Sequence, residues 1–204
     1  MFVSSKELSL GIQTLCKNFQ KLFCVNEAQL RDKLIAVYEL ALMFYSTPQT
    51  MQPFPSIPLT TPGYIWQAAT RFANQQPTGN KERQTYKSIL AVGSLSFYLQ
   101  ARRIPTDLFS SDCWNPVIRL CSEIADLRLR GRDPLECCVF SPSQQECTVP
   151  PEAWGDRIGY VAIQIDLVNR KVDLLGFAPR IESETLTLHQ LQNPESLPRF
   201  LRRS

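Results

Sequence analysis

Around Ile104-Pro105 the spacing of apolar residues switches from a helical to a strand period, so a single layer of one element type cannot accommodate both halves of the chain. Upstream, apolar side chains recur every three or four residues, as one face of a helix requires. Downstream they alternate, which puts every second residue on the same side of a strand. A chain that groups helices first and strands second belongs to the α+β class rather than the alternating α/β class. The expected architecture is a helical N-terminal half packed on a mainly antiparallel β-sheet formed by the C-terminal half.

Within the helical half, Asn26-Glu27-Ala28-Gln29 reads as a capping box, with Gln three residues beyond an Asn that can accept from orphan amides. Leu30, Leu34, Val37, Tyr38, Ala41 and Tyr45 follow at helical spacing until Pro48. Leu8, Ile12, Leu15, Phe19 and Leu22 predict an earlier helix of the same kind. Pro48, Pro53, Pro55, Pro58 and Pro62 then exclude a helix or a central strand, because proline has no amide donor and a fixed φ. An extended surface connector is expected there. Helices are expected over about Ile65 to Asn74 and about Lys81 to Arg103, separated by Gln76-Pro77-Thr78-Gly79-Asn80. The longer one carries Tyr86, Ile89, Leu90, Val92, Phe97 and Leu99 as a stripe, and Gly93, Ser94 and Ser96 permit close approach of another element.

In the strand-rich half, Leu127 and Leu129 alternate with Arg128, Arg130 and Arg132, and Leu135 to Phe140 is a second short strand. Ile158 to Leu167 and Val172 to Phe177 form a hairpin about Asn169-Arg170-Lys171, with Val161, Ile163 and Ile165 facing the core. Leu186-Thr187-Leu188 adds a strand, and Pro198 opens a short terminal helix bearing Arg199, Arg202 and Arg203. Residues 1–62 are read as N-terminal helices and connector and 63–204 as the α+β core, together one compact domain. A chain of 204 residues buries about 70% of its unfolded surface, so it needs no disulfide or metal to hold it.

A formal net charge of +3 is too small to imply nucleic-acid or membrane partners by itself. Met1 to Leu10 contains no continuous apolar stretch, and the apolar run Leu34 to Tyr45 is far shorter than the roughly 20 residues that span a bilayer. Seven cysteines without framework spacing suit a reducing compartment, so a cytoplasmic protein without disulfides is expected. Neighbours in a strand point to opposite faces, so Cys137-Cys138 is not a ligand pair, and the pairs Cys16/Cys24 and Cys113/Cys121 match no zinc spacing. His189 is the only histidine. No metal site, cofactor or thiol nucleophile is expected, and free cysteines in such a chain ordinarily act as small buried hydrophobes. Neither a dinucleotide fingerprint nor a Walker lysine loop occurs.

Several fragments of the chain carry a resemblance by their order. They are Tyr86 to Leu99, Ile104-Pro105-Thr106-Asp107-Leu108, Ser111-Asp112-Cys113-Trp114-Asn115-Pro116, Ala125-Asp126-Leu127, Leu135-Glu136-Cys137, Val149-Pro150-Pro151-Glu152-Ala153-Trp154-Gly155-Asp156-Arg157-Ile158-Gly159-Tyr160-Val161 and Leu174-Leu175-Gly176-Phe177. Over about Ile65 to Phe177 the chain resembles the cyanobacterial family known as domain of unknown function 1822. The resemblance implies a cyanobacterial source and carries over no activity and no functional residue. The signalling and transcription-regulation genes that neighbour such genes favour a regulatory role.

Three groups of residues invite a functional reading. Arg128, Arg130 and Arg132 would share one strand face opposite the leucines, either as a solvated face neutralised by Glu182 and Glu184 or as a docking surface for an anionic partner. Glu152, Asp156 and Arg157 precede the hairpin, where two carboxylates beside a guanidinium can serve acid–base chemistry. Their ordinary role is to cap a turn, pair with Arg157 and pack over Trp154. Asp107 and Asp112, flanking Trp114-Asn115-Pro116, have the same ordinary role in turns. The expected function is a non-enzymatic, regulatory protein-interaction module. Its partner-binding residues would be Arg128, Arg130, Arg132, Trp114, Trp154 and Arg157, with Trp66 and Phe109 as further aromatic anchors, and an acidic protein would fit the arginines. The alternatives are an enzyme using Asp112, Glu152 and Asp156, or a weak nucleic-acid binder through the three arginines, although no RRM-like aromatic motif accompanies them.

Overall fold

The computed structural model describes residues 54–203. The two N-terminal helices expected before Pro48 lie outside the described residues, as do Pro48 and Pro53.

Two helices open the described part. Helix α1 (Gly63–Ala73) starts after Pro62, and α2 (Gly79–Ala101) starts at Thr78, whose hydroxyl accepts from the Lys81 amide at 3.3 Å. Such a cap satisfies one of the orphan amides at a helix start. The two helices pack closely at Gly93. A Cβ there would lie 2.6 Å from both Ile65 Cδ1 and Cγ2, so only a bare backbone fits against the fully buried Ile65. The neighbouring serines turn the same close approach to hydrogen bonding, Ser94 Oγ to Thr61 Oγ1 at 2.6 Å and Ser96 Oγ to Thr106 Oγ1 at 2.7 Å. The expected stripe is otherwise buried or half-buried, but Phe97 is largely exposed.

The described residues contain eight strands, one before the helices and seven after the expected change of period: β1 (Ile57–Pro58), β2 (Thr106–Asp107), β3 (Asp126–Leu129), β4 (Leu135–Phe140), β5 (Glu146–Thr148), β6 (Gly159–Asp166), β7 (Lys171–Ala178) and β8 (Thr185–Thr187). Six form a sheet in the order β1-β7-β6-β4-β3-β2, and β5 pairs with β8 in a separate ribbon. The sheet is mixed rather than mainly antiparallel, because its central pair, β4 and β6, is parallel. A two-residue turn cannot join parallel neighbours; the chain must cross over between them. Residues 141–158 make that crossover, carrying β5 and a 3-10 turn at Pro151–Ala153.

β6 and β7 form the expected hairpin, with a register shift between Ala162 and Ile163 that leaves Leu175 as the extra residue. The bulge inverts the side-chain phase of β7. Val172 and Leu174 face the helix-side core, Leu175 faces the other side, and Phe177 faces the helices again.

The sheet is covered on both faces. One core lies beneath α1, α2 and the terminal helix α4 (Leu197–Arg203), where Phe200 meets Phe177 with ring centroids 5.0 Å apart. It takes in Val161, Ile163 and Ile165, as the alternation predicts. The second core, around Phe140, Tyr160, Ala162, Leu175 and Leu186, lies under the crossover and the ribbon. Two-sided burial explains why β6 is apolar nearly throughout instead of alternating.

The proline-rich stretch is not wholly a surface connector. Ile57 pairs with Leu174, and the Leu59 amide donates to Val172 O at 2.8 Å. Pro58 is tolerated because β1 is an edge strand with a neighbour on one side only.

Candidate functional site

Three of the predicted site residues sit on or beside the β2–β3 edge of the sheet, but not as one arginine face. β3 ends at Leu129, and Gly131 takes φ +71°, a left-handed conformation that turns the chain away from the sheet. The Arg130 amide donates back to Pro105 O and the Arg132 amide to Leu129 O. The strand period therefore stops before it can align three guanidinium groups. Arg130 and Arg132 are exposed on a turn, and Arg128 alone lies on the strand.

Arg128 belongs to a partly buried charge cluster. Its Nη2 lies 3.4 Å from Asp112 Oδ1 and its Nε 3.4 Å from Asp126 Oδ2. Asp126 is fully buried, and its Oδ1 accepts from the Asp112 amide at 2.6 Å. The carboxylates that neutralise Arg128 are thus Asp112 and Asp126, not Glu182 and Glu184. Opposite Asp126 in the β3–β4 ladder is Glu136, also buried. Its Oε1 accepts from the Ala125 amide at 2.7 Å and its Oε2 from Arg157 Nε at 3.2 Å.

Arg157 therefore differs from its predicted role. It does not pair with Glu152 or Asp156 side chains; its own side chain is 7% exposed and engages Glu136. Glu152 and Asp156 are exposed on the turn before β6. Trp154, on the same turn, donates from Nε1 to Val149 O at 3.1 Å and, with Arg157, Tyr160 and Arg180, lines a cavity of about 210 Å³.

Burial shapes the proton affinities of the cluster. It pushes Asp126 up, reinforced by the charge of Asp112 and opposed by the Asp112 amide and Arg128. Burial pushes Glu136 up to about 7, against the Ala125 amide and Arg157, which stabilise its charged form. A carboxyl that changes charge near neutrality can exchange protons there. Glu136 also lines a cleft of about 380 Å³ between the first half of α2 and strands β4 and β5, with Arg83 and Lys87 on the helix side. Among the described residues no group of three metal-ligating side chains comes together.

Beside the charge cluster lies an apolar corner that sequence reasoning reached only through Trp114 and Phe109. After β2, Asp107 accepts from the Ser110 hydroxyl at 2.8 Å and from its amide at 3.3 Å, closing a turn that projects Phe109. Asn115 then caps the short helix α3 (Pro116–Cys121), accepting from Val117 and Ile118 amides, with Pro116 preset for the first turn. Phe109 is 81% exposed, Val117 69% and Leu120 50%. Trp114 is half-buried between them and α1, its ring edge-on to Phe72 at 5.3 Å and to Phe109 at 5.5 Å. Arg119, buried, lies 4.0 Å over the Phe72 ring and donates to Cys113 O, Trp114 O and Gln75 Oε1. Nothing local marks Arg119 as buried, because the Phe72 ring and Gln75 come from the end of α1 and the turn after it. Trp66, the other expected anchor, is in α1 and half-buried, with the Arg170 guanidinium 4.9 Å from its ring centroid.

The fold and this site define an α+β domain with two cores, whose outer sheet strands are held by an acid–arginine cluster beside an exposed aromatic corner. Residues 64–200 match the family described as Protein of unknown function (DUF1822), and the chain belongs to that family. The match runs past Phe177 to include the ribbon and most of α4. None of the curated proteins and none of the solved structures matches the chain. Among the described residues no helix is long and apolar enough to cross a membrane.

Proposed function

We propose that the protein is a non-enzymatic, regulatory protein-interaction module that presents the Phe109–Leu120 corner to an acidic partner protein. The observation that carries this reading is the pairing of exposure with rigidity. Phe109, Val117 and Leu120 face solvent on a segment fixed by the Asp107 turn, the Asn115 cap and the buried Arg119. Anchors held in place before binding lose little conformational entropy on docking, and aromatic anchors dominate interface energies. The charge next to the corner supports an acidic partner. Arg130 and Arg132 are exposed on the turn after β3, and the Arg130 charge reaches Asp107 at the base of the Phe109 turn. The arginines then steer association while the apolar residues hold the complex. A cytoplasmic setting and a cyanobacterial source belong to the same proposal.

Site-specific photo-crosslinking in the native host tests it. A photoreactive side chain at position 109 should capture an acidic protein in stoichiometric yield, and the same group at the exposed hairpin-tip Val168 should not. Arg130→Glu should weaken the capture, and raised salt should weaken it further. Equal capture at both positions, capture of a second copy of this chain, or capture unaffected by salt and by Arg130→Glu would each overturn the reading.

A further inference from the structure

The cleft beside α2 holds a feature that neither the charge cluster nor the aromatic corner uses. The β3–β4 ladder covers only residues 126–127 and 135–136, and the Cys137 amide still reaches Ala125 O at 2.8 Å. Beyond that point the edge of β4 facing the cleft pairs with no strand among the described residues. β5 arrives there instead, and Cys147 lies beside Cys138 and Val139 on the wall of the cleft. Cys138, one residue earlier on β4, points to the second core, against which Cys147 also packs, and the Cys147 thiol donates to Thr148 O at 3.6 Å. Both line the same cleft. All five described cysteines are free thiols.

The environments of these thiols differ in kind. Cys113 and Cys137 are buried in the helix-side core, and burial pushes both well up, so they are inert. Cys121 is exposed on α3. Cys147 is only partly covered. The Cys138 thiol pulls its proton affinity down, burial opposes this, the Val139 amide lowers it further, and Glu136 raises it. Cys138 is pushed up in turn, by Cys147 and by burial. Arg83 and Lys87 stand on the opposite wall of the cleft, and Glu123 is the further acidic group lining it. No histidine is needed for this activation, which is why a search for a Cys/His pair does not find it.

We propose that Cys147 and Cys138 are a peroxide-responsive thiol pair that closes to a disulfide across the β4–β5 step of the cleft. In the first step the Cys147 thiolate attacks one oxygen of hydrogen peroxide. The S–O bond forms, the O–O bond breaks, and the departing hydroxide takes a proton to leave as water. In the second step the Cys138 sulfur attacks the sulfenic sulfur of Cys147. The S–S bond forms, the S–O bond breaks, and the leaving hydroxide carries off the Cys138 proton as a second water. Two thiols lose two electrons in all and the peroxide gains them. The bridge ties the β5–β8 ribbon to the open edge of β4 and alters the wall of the cleft.

The whole reduced chain, treated with equimolar hydrogen peroxide and mapped without reduction, tests this in the wild type. The expected product is a peptide pair joined through Cys138 and Cys147, lighter by two hydrogens. Before peroxide is added, Cys147 should alkylate several-fold faster than Cys121 at neutral pH, although Cys121 is the more exposed. In Cys138→Ser the reaction should stop at a sulfenic acid on Cys147 that dimedone captures. Cys121 reacting as fast as Cys147, a disulfide joining other cysteines instead, or no dimedone adduct on Cys147 in folded Cys138→Ser would each overturn the proposal.

Discussion

Glu136 makes the folded state sensitive to pH in a direction opposite to the usual carboxylate. Burial raises its proton affinity from the ordinary 4.5 to about 7, more than the Ala125 amide and Arg157 can offset. The folded state therefore favours the protonated acid more strongly than the unfolded chain does. The associated stability is fully present below pH 4.5 and is lost as pH rises through about 7. Each tenfold change in proton affinity is worth about 1.4 kcal/mol, so the whole span amounts to about 3 kcal/mol. Urea titrations from about pH 5 to about pH 8 should show wild-type stability falling toward alkaline pH relative to Glu136→Gln, by roughly that amount. The Gln variant keeps the shape and the acceptor for the Ala125 amide but cannot ionise. Asp126 is also raised, but it remains in both proteins, so the difference between their profiles isolates Glu136. Parallel profiles would refute the reasoning and show that Arg157 keeps Glu136 ionised throughout.

The remaining expectations concern packing and the arginines. Ile163→Ala, at a fully buried β6 position, should lower the unfolding free energy by about 2 to 5 kcal/mol in a denaturant titration. Gly93→Ala places a methyl group 2.6 Å from Ile65 and should destabilise by about 1 to 3 kcal/mol. Ile65→Ala should partly relieve that loss in the double variant, and strict additivity would show that the two sites do not press on each other. Arg157→Ala leaves a buried carboxylate unpaired and should cost about 3 to 5 kcal/mol at alkaline pH. Arg130→Glu should change stability by no more than about 0.5 kcal/mol, and a larger loss would place Arg130 in a structural ion pair.

The sequence by itself determined the order and type of the elements wherever the physics is local. Period, caps and prolines set α1 and α2 to within two residues at each end, and short apolar runs with the turn at Asn169-Arg170-Lys171 set β4 and the β6–β7 hairpin, because a helix or hairpin forms from contacts near in sequence. Gly93, Ser94 and Ser96 announced a close approach, since only small side chains allow one. What remained for tertiary structure was everything decided between distant segments. The parallel pairing of β4 with β6 depends on the path of residues 141–158, which no local period encodes. The arginine alternation looked like a strand through Arg132, but Gly131 ends it, and the partners of Arg128 come from the 3-10 turn at Asp112 and from its own strand. Arg157 found Glu136 across 21 residues instead of its neighbours Glu152 and Asp156. Burial is likewise a collective property. Glu136, Arg119 and the contact between Cys138 and Cys147 become distinctive only when the sheet, the crossover and α1 exclude water from them, and low polarisability around a charge or thiol is supplied by residues far along the chain.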